Sequence, residues 1–214
     1  MTSDRRRPFA AHLRLIQASL TAAALAGCAM LGGPPLYPVP RDAAYFRDLA
    51  TPGAAVDPAV AARLISGYRA ANRLGPVAAD PTLTAIAKRE AAAEAARGSV
   101  AHDLAGPLPG RADAAGYDYA VIEENVAGGY DTLAAAFDGW QRSPEHRANM
   151  LAGAVTRIGI AAAQANGKRY RVYWSLVLAA PASRRHCEEA KPTKQSRAAG
   201  AGACGSRIAS LRSQ

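Results

Sequence analysis

A short segment, residues 143–151, contains the histidine whose chemistry is easiest to predict from its neighbours. Because a residue before proline disfavours the α conformation, we predict that one helix ends at Ser143 and that another begins there, with Ser143 as N-cap and Pro144 first. His146 then lies in the first turn, where the positive end of the helix disfavours the imidazolium. We therefore expect a neutral imidazole able to bind a metal ion or accept a hydrogen bond. The alternative is an ordinary surface histidine.

Two further polar segments are candidates for the same site. His102 follows a predicted helix C-terminus, and Glu124 lies in residues 121–127, a stretch that is neither clearly strand nor clearly helix. The usual hydrolase patterns, a Gly-x-Ser-x-Gly elbow or a His-Glu-x-x-His pair, do not occur between residues 29 and 181, and no cysteine lies there either. The sequence between these residues thus shows neither of these hydrolase patterns, no candidate nucleophilic cysteine and no thiolate metal site.

Four helices are expected to position these segments. The first two begin at Pro58 and Pro81, each after an aspartate N-cap, and the second of them stops at Gly98. A short helix is predicted to run through Ala115. Another helix, whose apolar residues share one face, is predicted to reach Trp140.

The segment after these helices has the pattern of a β-hairpin. Residues 157–164 and 170–178 are strand-like, and residues 165–168 contain the Asn-Gly pair of a two-residue type I′ turn. This turn would place Gly159 opposite Trp174. Since both faces of the strands carry apolar side chains, we predict a sheet covered by helices on both sides.

The N-terminus has the pattern of an export signal. An arginine cluster at residues 5–7 precedes an apolar run over residues 13–26, which is shorter than a typical membrane span. The four residues that end in Cys28 resemble the lipobox of bacterial lipoproteins, in which the cysteine is acylated and becomes the mature N-terminus. The resemblance implies a signal peptide over residues 1–27 and a membrane anchor at Cys28; the alternative is an ordinary secretory signal.

The remaining segments are predicted to lie outside the core. Residues 28–56 are rich in proline and glycine, which indicates a linker, and residues 182–214 lack hydrophobic periodicity, which indicates a disordered basic tail. The net charge of +9 is concentrated at the two ends, because residues 28–181 hold fifteen basic and fourteen acidic residues. A nearly neutral globular part argues against nucleic acid as a partner.

The polar segments together resemble one protein family. Ser-Pro-x-His-Arg-x-Asn-Met-Leu at residues 143–151, Glu-Asn at residues 124–125, His102, and Tyr-Trp at residues 173–174 are similar to the bacterial branch of the CAP superfamily of SCP-like domains. The similarity extends over roughly residues 58–180. It implies an α+β fold, an α-β-α sandwich with a central antiparallel sheet, for a domain that we place at residues 57–181.

The resemblance also implies a set of site residues. In this family a cleft lined by two histidines and two glutamates holds zinc or another divalent cation in several members. His102 and Glu124 match the family's first histidine and one glutamate, and His146 is the bacterial branch's own candidate. We therefore predict a zinc site formed by His102, Glu124 and His146. The alternative is a buried hydrogen-bonded cluster in which Glu124 orients one imidazole.

The chain also departs from the family pattern at the predicted ligand cleft. Glu123 stands where the family has glycine, and Ser143 falls at about the position of the second glutamate. We predict that Glu123, Ser143 and the first-turn carboxylate Glu145 line this cleft. The missing glutamate leaves an incomplete ligand set.

Three functions follow from these patterns. The first is an exported, lipid-anchored, monomeric module that binds a small hydrophobic ligand, an envelope component or a divalent cation without catalysis. The second is a metal-assisted hydrolase acting on envelope material, with Glu124 as the base. The third is an envelope domain that contacts other proteins through its loops.

Overall fold

A computed structural model describes residues 36–182 and 208–210 of the chain. These residues all belong to the second of two compact units, Leu36–Gln214. The predicted signal peptide, Cys28 and most of the predicted tail lie outside the described residues. Within the described part, no helix is both long enough and apolar enough to cross a membrane.

The described residues form five α-helices, and the first two begin where their aspartate capping signals predict. Asp57 accepts a hydrogen bond from the amide of Ala59, and Asp80 caps the second helix in the same way. Gly98 ends the second helix in the left-handed region, with a φ of 75°. The helices are α1 (Pro58–Ala71), α2 (Pro81–Arg97), α3 (Leu108–Ala114), α4 (Leu133–Arg142) and α5 (Pro144–Met150).

A five-stranded sheet lies between the helices. Its strands are β1 (Ala78–Ala79), β2 (Tyr119–Gly128), β3 (Arg157–Gln164), β4 (Val172–Pro181) and β5 (Ile208–Ser210). The strand order is β1-β3-β4-β2-β5. The three central strands pair antiparallel, whereas β1 and β5 pair parallel at the two edges. The predicted antiparallel centre is therefore confirmed.

Both faces of the sheet are buried, which confirms the predicted α-β-α sandwich. On one face, Trp174 and Leu176 of β4 pack with residues of α1, α4 and α5. On the other, Val177 and Ala179 pack with Leu83 and other residues of α2 and α3. Alternate residues of one strand thus belong to two separate hydrophobic clusters, as the two-residue period of a strand requires.

The hairpin between β3 and β4 exists, but its predicted register is wrong. Gly159 lies opposite Val177 and not opposite Trp174. The connecting loop is longer than two residues, because it closes with a hydrogen bond from the amide of Ala165 to the carbonyl of Arg171. The observed pairing is shifted from the predicted one by an odd number of residues. Trp174 therefore lies on the face of the sheet opposite to the predicted one.

Strand β2 is the element that the sequence pattern did not reveal. Glu123, Glu124 and Asn125 lie in the middle of this strand, where an apolar alternation is expected. All three are buried, and their polar groups find partners inside the protein. The irregular pattern therefore reflects a polar site built into a central strand.

Part of the predicted linker is packed onto the domain. Of residues 28–56, the structure describes 36–56, and there Tyr45 and Leu49 are buried in the same cluster as α1 and α4. Gln141 of α4 also accepts from the amide of Tyr37 and donates to its carbonyl. The high content of proline and glycine obscured these two buried apolar residues in the sequence. The domain therefore begins closer to the N-terminus than we predict from the sequence.

The tail contributes one described element. Residues Ile208–Ser210 pair with Val121–Glu123 of β2 as a short parallel edge strand. Apart from Ala182 and this strand, the segment for which we predict disorder lies outside the described residues.

Gly159 sets the distance between α2 and the sheet. A Cβ atom at this position would overlap the backbone of Leu83 and Thr84 in α2. We expect Gly159→Ala to lower the free energy of unfolding by about 2–4 kcal/mol, because backbone cannot move aside as a flexible side chain can. Urea unfolding measures this loss, and Gly153→Ala, where nothing lies within 4 Å of the added Cβ, is the matched control. Equal stability of the two variants would contradict the close approach.

Candidate functional site

Glu124 is the centre of a buried polar cluster. Its Oε1 accepts hydrogen bonds from Ser175 Oγ at 2.8 Å and from Arg111 Nη1 at 3.1 Å. Its Oε2 accepts from Arg111 Nη2 at 2.9 Å and lies 3.3 Å from His102 Nδ1. The carboxylate is fully buried, so these protein groups satisfy both of its oxygens.

These contacts keep Glu124 ionised. Burial alone would raise the pKa of its carboxyl group, but the hydrogen bonds from His102, Arg111 and Ser175 and the charge of Arg111 together lower it. The contact with Glu124 orients the imidazole of His102. This arrangement is the buried hydrogen-bonded cluster that we considered as the alternative to a metal site.

Two more glutamates hold the loop that carries His102. Glu90 accepts hydrogen bonds from the amides of Leu104 and Ala105, and Glu94 accepts one from the amide of Ala101. Both glutamates are fully buried on α2. Sequence reasoning missed their role, although their spacing of four residues on the apolar face of α2 was a signal that they point inward.

Burial shifts the pKa of both carboxyl groups in the same direction. Burial raises the pKa of Glu94 to about 9, and the nearby carboxylates of Glu90 and Glu124 add to this effect. Burial also raises the pKa of Glu90, while the charge of Arg111 opposes that change. Glu94 is consequently a neutral acid at pH 7.

His146 is held against the opposite face of β2. Asn125 donates a hydrogen bond of 3.0 Å from its side-chain amide to the carbonyl of His146. Asn149, one turn further along α5, donates to the carbonyl of Glu124 and to the side chain of Asn125. The Asn149 side chain thus joins α5 to the strand.

The imidazole of His146 is neutral, as its position predicts. Burial, together with the nearby His102, lowers its pKa to about 4, while Glu145 opposes this change. The side chain is almost fully buried, so the helix N-terminus is not the main cause of the shift. His146 can therefore donate or accept a hydrogen bond at neutral pH, but it carries no charge there.

A cavity of about 250 Å³ lies beside His146. Its lining combines aromatic rings with the C-terminal end of β2 and one glycine of α4. The lining residues are Val100, Val126, Ala127, Gly128, Tyr130, Gly139, Trp140, His146 and Tyr170. The ring of Tyr170 lies where a side chain at Gly128 or Gly129 would be, and Tyr130 lies in the same way against Gly139. The glycines therefore let two tyrosines form the walls of a cleft.

The three predicted metal ligands do not form one metal site. His102 and Glu124 are in contact, whereas His146 lines a cleft to which neither of them contributes. Among residues 36–182 and 208–210, no group of three or more histidine, cysteine, aspartate or glutamate side chains is arranged to hold a metal ion. Because Arg111 and Ser175 already bind the carboxylate of Glu124, these residues do not fit a divalent cation.

The three residues predicted to line the cleft lie elsewhere. Glu123 is buried in β2 at the position paired with Ser210 of β5. Ser143 is the N-cap residue of α5, but its hydroxyl donates to Glu145 at 3.3 Å and does not accept a capping hydrogen bond from the helix backbone. None of the three belongs to the lining of the cavity beside His146. The aromatic residues Tyr130 and Tyr170 take that place instead.

The fold agrees with the comparison to known families. The sequence profile of the CAP family, the cysteine-rich secretory protein family, matches residues 62–178, which is more than half of the chain. This chain therefore belongs to the CAP family of cysteine-rich secretory proteins. No curated protein shows significant similarity to it.

Solved structures resemble this chain at low sequence identity. An outer surface protein from Borrelia burgdorferi is 20% identical with a TM-score of 0.51, over 61% of this chain and 99% of that one. An extracellular protein from Bacillus anthracis with an SCP domain is 21% identical with a TM-score of 0.49, over 56% of this chain and 39% of that one. A cysteine-rich secretory protein from Staphylococcus aureus is 21% identical with a TM-score of 0.45, over 56% and 37%. This chain thus matches about two fifths of each of the last two.

Proposed function

We propose that this protein is an exported, lipid-anchored CAP domain that binds a small ligand of the cell envelope without catalysis. The observation that carries the proposal is the cleft beside His146, which combines two tyrosines and a tryptophan with one neutral imidazole. Small-molecule sites are typically concave and combine aromatic side chains with a few placed polar groups. A cleft of this composition favours an uncharged or amphipathic ligand.

The surroundings of Glu124 support binding over hydrolysis. A general base needs a free lone pair within hydrogen-bond reach of a substrate or water. Both oxygens of Glu124 accept from Arg111, and the side chain is fully buried. Glu124, which we considered as the base of a hydrolase, thus has a structural role.

Fluorescence of the full chain tests the proposed cleft. The chain has two tryptophans. Trp140 lines the cleft, and the ring of Trp174 packs edge-to-face against the ring of Trp140, with 6.2 Å between the ring centroids. We expect a saturable change in tryptophan emission with at least one of three probes: a muramyl peptide, an N-acetylglucosamine oligomer or a short-chain lysophospholipid. Tyr170→Ala should weaken that binding about tenfold or more, because it removes one wall of the cleft.

The matched control is an exposed aromatic residue outside the cleft. Phe46 is 52% exposed and does not line the cleft, so Phe46→Ala should bind the same probe as the unchanged protein does. Equal weakening by both variants would place the ligand elsewhere. No saturable change with any of the three probes would contradict the proposal.

Lipid anchoring is tested separately at Cys28, which lies outside the described residues. Acylation supplies the hydrophobic area that keeps a soluble domain on a membrane. In a bacterial host that processes lipoproteins, we expect Cys28→Ala to move the protein from the membrane fraction to the soluble fraction. Cys187→Ala should leave the distribution unchanged. Membrane association that persists in Cys28→Ala would contradict the anchor.

A further inference from the structure

A cation that belongs to the protein itself lies among three buried carboxyl groups. Glu90, Glu94 and Glu124 are all fully buried, and the guanidinium of Arg111 is almost completely buried beside them. Arg111 forms ion pairs with Glu124 at 2.9 Å and with Glu90 at 3.4 Å. Buried carboxylates without a positive partner would be strongly destabilising.

One nitrogen of Arg111 has the surroundings of a small cation. Nη2 lies 2.9 Å from Glu124 Oε2, 3.1 Å from the carbonyl of His102 and 3.4 Å from Glu90 Oε2. The Nε atom donates to the carbonyl of Gly106 at 2.8 Å. Carboxylate and carbonyl oxygens are the ligands that hard divalent cations such as Ca²⁺ prefer.

We propose that the guanidinium of Arg111 is a built-in replacement for a metal ion, which neutralises Glu90 and Glu124 and fixes the loop of residues 101–106. This proposal is independent of the ligand cleft, because none of these side chains lines it. Arginine suits the role, since it is always charged and has five donors in a rigid plane. The domain therefore needs no bound cation to order the segment that carries His102.

The unchanged protein provides the first test. We expect the melting temperature of the full chain to be the same with a chelator, with millimolar Ca²⁺ and with millimolar Zn²⁺. A melting temperature that falls when the chelator is added would overturn the proposal, because a bound ion would then be part of the native structure.

Removal of the guanidinium provides the second test. Arg111→Ala leaves the oxygens of Glu90 and Glu124 without their cation, and we expect its melting temperature to fall by about 10 °C or more. Millimolar guanidinium chloride or Ca²⁺ should restore a substantial part of this loss, whereas the same concentration of sodium chloride should not. A variant that neither cation stabilises would overturn the proposal.

Two further variants keep the test decisive if Arg111→Ala does not fold. Arg111→Lys retains a single positive charge, so it should fold. Millimolar guanidinium chloride should raise the melting temperature of Arg111→Lys less than that of Arg111→Ala that has been refolded in the same salt. Arg142→Ala removes an arginine paired with Asp138 at the surface, where both side chains are exposed, and should need no cation. Guanidinium that stabilises Arg142→Ala as much as the Arg111 variants would show a nonspecific salt effect and overturn the proposal.

Discussion

Replacing Arg69 with alanine is expected to lower the free energy of unfolding by about 3–5 kcal/mol. Arg69 extends from α1 and is almost fully buried. Its guanidinium donates to four carbonyl oxygens, at 2.8 Å to Gly75 and Met150, 3.0 Å to Ala152 and 2.9 Å to Val155. Without it, three carbonyls at the junction of α5 and β3 and one in the loop after α1 lose this partner.

The effect should reach the ligand site. Met150 is the last residue of α5, the helix that carries His146, so Arg69 fixes one end of that helix. Urea unfolding measures the stability, and the exposed Arg63 on the same helix supplies the control, because Arg63→Ala should change it by less than about 0.5 kcal/mol. We expect Arg69→Lys to recover only part of the loss, since an ammonium group cannot reach four acceptors. Full recovery in Arg69→Lys would show that charge alone matters.

Replacing Glu94 with glutamine is expected to stabilise the protein at pH 7 by about 1–3 kcal/mol. The pKa of this carboxyl group rises from 4.5 to about 9 in the folded protein. A group whose folded pKa is raised contributes stability that is fully present below pH 4.5 and lost as the pH rises towards 9. Glutamine is neutral at every pH, so this loss should disappear.

The shape of the pH profile distinguishes this cause from a packing effect. The two proteins should have similar stability near pH 4 and diverge steadily above it, because only the unfolded wild type ionises there. Within the described part of the chain, Glu94 Oε2 has no hydrogen-bond partner, which limits the gain from the added amide. Asp138→Asn at an exposed position is the control. A constant difference between Glu94→Gln and the wild type at all pH values would contradict the buried neutral acid.

Much of the fold was predictable because local signals agree with the tertiary structure. Asp57 and Asp80 before their prolines fix the starts of α1 and α2, and Gly98 fixes the end of α2. The hairpin register was not predictable, because residues 165–171 form a longer loop than the Asn-Gly pair implies. Turn composition alone does not reveal how many residues leave the strands.

The sequence indicated which residues form polar sites better than it indicated how these residues are arranged in space. His102, Glu124 and His146 are all at least half-buried in polar surroundings, yet Glu124 and His146 lie against opposite faces of β2. A single strand separates them, and a sequence without strand signals could not show which face each one uses. Arg111 was missed because a lone arginine in a short helix gives no signal of the carboxylates that it meets in space.

Nitrogen-15 NMR of the imidazoles is the most direct test of a metal-free ligand cleft at His146. The chain has four histidines, and His146→Gln assigns the relevant signal. Because the pKa of His146 is lowered to about 4, its ring should stay neutral from pH 8 down to pH 5. We expect a cleft probe to shift the His146 signal while His102 is unchanged, and zinc to shift neither. Joint displacement of both signals by zinc would contradict this arrangement and restore the shared metal site.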